Sequence, residues 1–181
     1  RQKGGDGEEE VIGLFTAVNT NNIKAVERAI SLDVSGVDIN ETHRTPMGDV
    51  TPLFLAVFNQ DKPIIKELLK SDKIEVDKVV NYGRFTETAL TIACIYKDNE
   101  EIINMLIKKG AKVNYKEHNP LIAAYDNDNM SNMKLLIIHH DATLPESVSD
   151  LIDQDDLEKL SKIKTEIERE RKEKIEASGL K

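Results

Sequence analysis

Tryptophan is absent from this chain, cysteine occurs once, and positive charge is in deficit. A lone Cys94 cannot build a disulfide framework, and no Cys/His pair has zinc-site spacing. That usage fits a reducing, intracellular (cytoplasmic) compartment. The formal net charge of −8 leaves no basic footprint for phosphate backbones or anionic membrane surfaces. No apolar run reaches the roughly 18 residues of a membrane span, and no signal-like segment is present. The expectations are no nucleic acid, no membrane insertion, and a basic partner if charge steers association. HExxH is missing, and Gly4-Gly5-Asp6-Gly7 precedes no strand–helix unit that could cradle a phosphate. His43 and His118 fall in connections, while His139 and His140 end a helix, where cationic groups suit the dipole. Cys94, beside Ala93 on an apolar helix face, reads as a buried, inert thiol. The residues therefore assign no catalytic group, no metal and no cofactor, and the expectation is a protein that is not an enzyme. The first residue is Arg1 rather than Met, which points to a fragment or processed product.

What the chain does contain is one register written four times. Residues 88–114, TALTIACIYKDNEEIINMLIKKGAKVN, read as two short helices and a turn, with apolar residues at three- and four-residue spacing rather than two. The opening Leu recurs as Leu14, Leu53, Leu90 and Leu121, at spacings of 39, 37 and 31 residues. Three residues on stand Ala17, Ala56, Ala93 and Ala124. Eight on stand Asn22, Asp61, Asp98 and Asn129, types that accept from the free N–H groups of a helix start. Twelve on stand Val26, Ile65, Ile102 and Met133. Glu100 and Glu101 suit the start of the third unit's second helix, Lys108 and Lys109 suit its end, and Gly110 suits a left-handed C-terminal cap. A near-regular period of this size is a solenoid signature.

These units resemble ankyrin repeats, whose pattern of about 33 residues runs from T-P-L-H-x-A to G-A-D-V-N. Thr51-Pro52-Leu53 matches the opening and Gly110-Ala111-Lys112-Val113-Asn114 the close, with Lys112 for Asp. The fourth unit opens Asn119-Pro120-Leu121 and closes Asp141-Ala142. Phe15, Phe54, Thr91 and Ile122 stand where the family has His. Asn21, Gln60, Lys97 and Asp128 stand where it has Gly before the second helix. The resemblance implies an all-α solenoid of four helix-pair repeats, with β-hairpin fingers between them. The units are placed at about 10–31, 51–70, 88–110 and 119–142. The connections 32–50 and 71–87 are longer than the family's, and 111–119 is short.

Residues 1–8 read as a disordered tail. From Pro145 the register breaks. Val148, Leu151 and Ile152 suit one short helix, and Leu157, Leu160, Ile163 and Ile167 a second, together a degenerate capping repeat over 145–168 that completes a domain of 9–168. Asp155 to Glu158 reads as a capping box. Residues 169–181 continue as a charged helical tail, with Glu168–Lys172 and Glu170–Lys174 at i, i+4 spacing. A coiled coil would need a longer apolar seam, so a monomer is expected.

The resemblance implies a protein–protein interaction module. Partners of such repeats sit against finger tips and first-helix ends, which here carry most of the aromatics not spent on packing. Phe58 and Asn59, Ile95 and Tyr96, Asp126 and Asn127 match the helix ends. Tyr82, Arg84, Phe85 and Tyr115 match the fingers. Aromatics and Arg are the types that anchor interfaces. The alternative is a regulatory or targeting domain of a larger enzyme, channel or secreted effector whose active part lies elsewhere.

Overall fold

A computed structural model describes residues 13–31, 37–143 and 154–177. The tail 1–8, the helix expected around Val148, Leu151 and Ile152, and the seam side chains Leu157, Leu160, Ile163 and Ile167 lie outside what is described. The described elements are α1 (Leu14–Asn19), α2 (Ile23–Ser31), β1 (His43–Thr45), β2 (Gly48–Val50), α3 (Pro52–Phe58), α4 (Lys62–Leu68), β3 (Val80–Tyr82), β4 (Phe85–Glu87), α5 (Ala89–Ile95), α6 (Glu100–Lys108), α7 (Pro120–Tyr125), α8 (Met130–His139) and α9 (Gln154–Ala177).

The first eight helices form four consecutive pairs stacked in two rows. Helix α1 packs on α3, α3 on α5 and α5 on α7, while α2 packs on α4 and α4 on α6. The opening leucines are the reason. Leu14, Leu53, Leu90 and Leu121 are 6%, 2%, 1% and 0% exposed, and Ala17, Ala56, Ala93 and Ala124 are fully buried beside them. Alanine at that position lets neighbouring helices approach, and each buried leucine contributes roughly 1.5–3 kcal/mol. No unit could bury these faces alone, so the stack is the smallest stable object.

Helix starts follow the polar residues that precede them. The Thr51 hydroxyl accepts from the Phe54 N–H at 3.1 Å, and Asp61 accepts from the Ile64 N–H at 3.2 Å. Asn22, Asn119 and Asn129 cap α2, α7 and α8 in the same way. Thr88 and Thr91 satisfy each other's backbone N–H reciprocally, a capping box made with Thr in place of Glu. Gly110 takes a positive φ of 107° after α6, as its cap position requires.

The expected cap at Asp98 is corrected by one residue. Asp98 takes the left-handed conformation at φ 57°, alongside Asn21, Gln60 and Asp128, and Asn99 is the residue that precedes α6. The position where the family has Gly is thus held by Asp98, not Lys97. Asn and Asp tolerate this region because their short polar side chains bond locally.

The two long connections form the expected hairpin fingers, β1-β2 and β3-β4, and these do more than the all-α reading foresaw. Their hairpins pair side by side into one antiparallel sheet in the order β1-β2-β3-β4, with Gly48 opposite Tyr82 and Asp49 opposite Asn81. The extra residues lengthen both fingers enough to share backbone hydrogen bonds; the short third connection forms no strand among the described residues. At the finger bases, Asn40 accepts from the Glu75 N–H (2.8 Å), Asp77 from the Lys112 N–H (2.9 Å) and Asn114 from the Thr143 N–H (2.8 Å). These equally spaced side chains tie each unit to the next, despite the missing family His.

On the outer row, Glu101 of α6 reaches Lys62 (2.7 Å) and Lys66 (2.8 Å) of α4. Hydrogen bonds from Lys62 first and Lys66 second pull its carboxyl from 4.5 to about 2. A carboxyl lowered by folding stabilises fully above its unfolded value, and that gain is lost as pH falls through the folded one. The group is half-exposed, so the gain is modest and salt-sensitive. We expect Glu101→Gln to lower the melting temperature at pH 7 in low salt. The difference should close by pH 2 and shrink in molar salt; thermal circular dichroism reads both, and a gap persisting at pH 2 would contradict the clamp.

Helix α9 packs against α8. It begins by Gln154, so Asp155 and Asp156 lie within its first turn and Asp155 is not the cap. Described ion pairs on it include Glu158–Lys162 (2.7 Å) and Arg169–Glu173 (3.6 Å). The expected Glu168–Lys172 pair is not formed, and the Glu170 side chain lies outside the description.

Candidate functional site

Helix ends and fingers, separate in sequence, meet in one aromatic row. Tyr82, at the end of β3, lies over Phe54 and Phe58 of α3, with ring centroids 5.5 and 5.8 Å apart. Tyr96, just after α5, meets Phe58 edge-on at 6.1 Å and 77°. Phe58, Tyr82 and Tyr96 are each partly buried. Desolvation first, and the nearby Tyr82 second, raise the Tyr96 phenol above its ordinary value. Phe85, paired with Tyr82 across the two-residue hairpin turn, is 69% exposed. An aromatic of that size left in water is the unusual feature of this face.

The other expected positions divide. Asn59, Arg84, Asp126 and Asn127 are exposed; Ile95 is half-buried against the core. The Asn127 amide donates to the Ala123 carbonyl at 2.9 Å. Tyr115 is not joined to the row: it packs on His118 at 5.2 Å, with the Lys112 ammonium 5.2 Å from its ring. Two contributors went unassigned. His43 stacks on Phe15 at 4.3 Å, so finger one also rests on a first helix. Met47 packs from the tip of the same finger.

The turn that carries Tyr96 differs from its three counterparts. In units one, two and four the backbone N–H of Asn22, Asp61 and Asn129 donates to the carbonyl of Ala17, Ala56 and Ala124 at 2.8, 3.0 and 2.8 Å. Unit three has one more residue in the turn, and there the Asn99 side chain donates to Ala93 instead, at 2.9 Å. That is why Asn99 makes no side-chain cap. Tyr96 consequently leaves helical geometry, at φ −80° and ψ 137°, where Asn59 and Asp126 remain helical. The carbonyls of Cys94 and Tyr96 then need donors from outside. Asn129 supplies 3.1 and 2.9 Å bonds and Asn132 supplies 3.1 and 2.8 Å bonds, both from the following unit and both buried. The legible signal for Asn132 was a polar residue on an apolar helix face.

Ankyrin repeats, in three copies, match residues 14–117 and again 53–148. The chain belongs to the ankyrin repeat family. No curated protein matches it. Ankyrin repeats are in general protein–protein interaction modules and are typically non-catalytic. Cys94 is fully buried and burial pushes its thiol far up, away from the reactive thiolate. The His140 Nε2–H donates to the Asn104 Oδ1 at 2.7 Å, with burial first and His139 second lowering the His140 pKa. Among the described residues no three His, Cys, Asp or Glu side chains gather as metal ligands would, and no described helix is long and apolar enough to cross a membrane.

Proposed function

We propose that this ankyrin domain docks an extended segment of a partner protein across the row Phe58–Tyr82–Tyr96, with Phe85 as the protruding anchor. Asn59, Arg84, Asp126 and Asn127 form its polar rim, and Tyr115 contributes from the third connection. The observation that carries the reading is the meeting of two repeats' helix ends with a finger in one aromatic row, with the solvent-exposed Phe85 paired across the hairpin from Tyr82. Rigid rings add contact area with little ordering cost, and the stacked repeats hold them in place before binding. The net charge of −8 favours a basic segment. The domain is read as four repeats within residues 9–168, closed by a capping repeat that includes the start of α9, with 169–181 as a charged extension. It acts as a monomer, and its lone, unpaired cysteine suits an intracellular setting.

The test is panning of a displayed peptide library on the intact chain, followed by the same peptides on the Phe58→Ala/Phe85→Ala/Tyr96→Ala variant. Anchors of this kind carry at least about 2 kcal/mol each, so affinity should fall by at least roughly a hundredfold. Equal affinity for both proteins, with far-ultraviolet circular dichroism unchanged, rejects the aromatic row as the binding surface.

A further inference from the structure

We propose that Asn132 is a positioning residue for recognition: from the fourth repeat it holds the widened turn of the third in the shape that lays Tyr96 across Phe58. The inference rests on the reading of that aromatic row as the docking surface.

Three observations converge on it. The position is apolar elsewhere: Ile64 in repeat two and Ile102 in repeat three occupy the same place in the second helix and are fully buried. Asn132 is buried just as deeply, at 1%. A polar side chain in a core seat is costly unless its hydrogen bonds are made, and those of Asn132 go to two carbonyls of the preceding repeat, Tyr96 at 2.8 Å and Cys94 at 3.1 Å. The Cys94 counterpart in repeat two, Val57, accepts from the Gln60 N–H at 3.0 Å, a bond the widened third turn with its extended Tyr96 does not make. The insertion and the buried amide therefore answer each other. Asn129 also reaches both carbonyls, but it occupies the cap position shared by the other units and has a helix start to serve. Asn132 has no such second duty; its side chain matches the insertion alone. Places where a chain breaks its own local rule and then satisfies every group are where specificity is built.

Replacing Asn132 by the residue its siblings use separates this role from simple packing. In Asn132→Ile the two carbonyls keep Asn129, so the chain should still fold, with a melting temperature close to that of the parent. The Phe58–Tyr96 ring contact should be lost in nuclear Overhauser spectra, amide shifts should concentrate at residues 94–99, and peptides selected on the parent should bind at least tenfold more weakly. A retained ring contact overturns the inference, whatever happens to stability. Loss of the contact with unchanged peptide affinity upholds the positioning and instead removes Tyr96 from the docking surface. The parent protein supplies a second measurement should the variant fail to fold. Its Asn132 amide protons should exchange slowly with solvent and couple to the Tyr96 or Cys94 carbonyl; fast exchange of both protons overturns the assignment.

Discussion

Phe54→Ala should lower stability by about 3–5 kcal/mol, the usual cost of emptying a buried phenylalanine site. Phe54 is 1% exposed and sits in the row of first helices, where α3 is packed by α1 on one side and α5 on the other. The cavity would open at the joint between repeats, where a solenoid can least relax, because each repeat contacts only its neighbours. Tyr82 would also lose the ring 5.5 Å beneath it, so the second finger should loosen together with the core. Urea denaturation should show an earlier midpoint for Phe54→Ala, with Phe54→Leu costing less than about 1.5 kcal/mol because volume is nearly kept. A loss below 1 kcal/mol for the alanine variant would mean that the first helices do not pack as described.

Gly48→Ala should break the finger sheet while leaving the helices in place. Gly48 opens β2 at φ +133°, and a Cβ there would stand 2.0 Å from the Asn81 carbonyl oxygen. Strain in that backbone region alone costs roughly 1–3 kcal/mol, and the collision adds to it unless β2 and β3 part. Gly83 serves as the internal control. It too has positive φ, +63°, but nothing lies within 4 Å of its missing Cβ, so Gly83→Ala should cost only about 1–2 kcal/mol. The reporter is amide exchange. The Gly83 N–H, 2.6 Å from the Met47 carbonyl, should exchange far faster in Gly48→Ala, whereas protection in α3 to α6 should hold. Unchanged protection at Gly83 would mean that the two fingers are not bonded to each other.

Both predictions concern places of different legibility. Phe54 stands next to Leu53 in a repeated apolar pattern, so its burial could be expected from spacing alone. Gly48 could be marked as a turn residue beside Pro46 and Met47, but not as the contact point between fingers that are far apart in sequence. The same division runs through the aromatic row. That Phe58 ends a helix and Tyr82 sits in a finger followed from register. That their rings touch, and that Tyr115 stands apart on His118, depended on how far each finger folds back over the first helices.

Unit three makes the point most sharply. Counting eight residues from Leu90 lands on Asp98, a residue type fully able to cap a helix. One added residue in the turn puts Asn99 ahead of α6, with its amide spent on the Ala93 carbonyl rather than on a cap, and Asp98 in the left-handed region. An apolar pattern tolerates such a slip, because Ile102 and Ile103 are both isoleucine and both buried. Pattern alone could not register it.

Local chemistry was thus enough for the helix pairs, their order, most of their caps and the family, because each depends on residues a few positions apart. Pairing of the two fingers, the row Phe58–Tyr82–Tyr96 and the bond from Asn132 back to Tyr96 were decided only in three dimensions. They join residues about 25 to 40 positions apart through distances and backbone angles, quantities set by how the repeats stack.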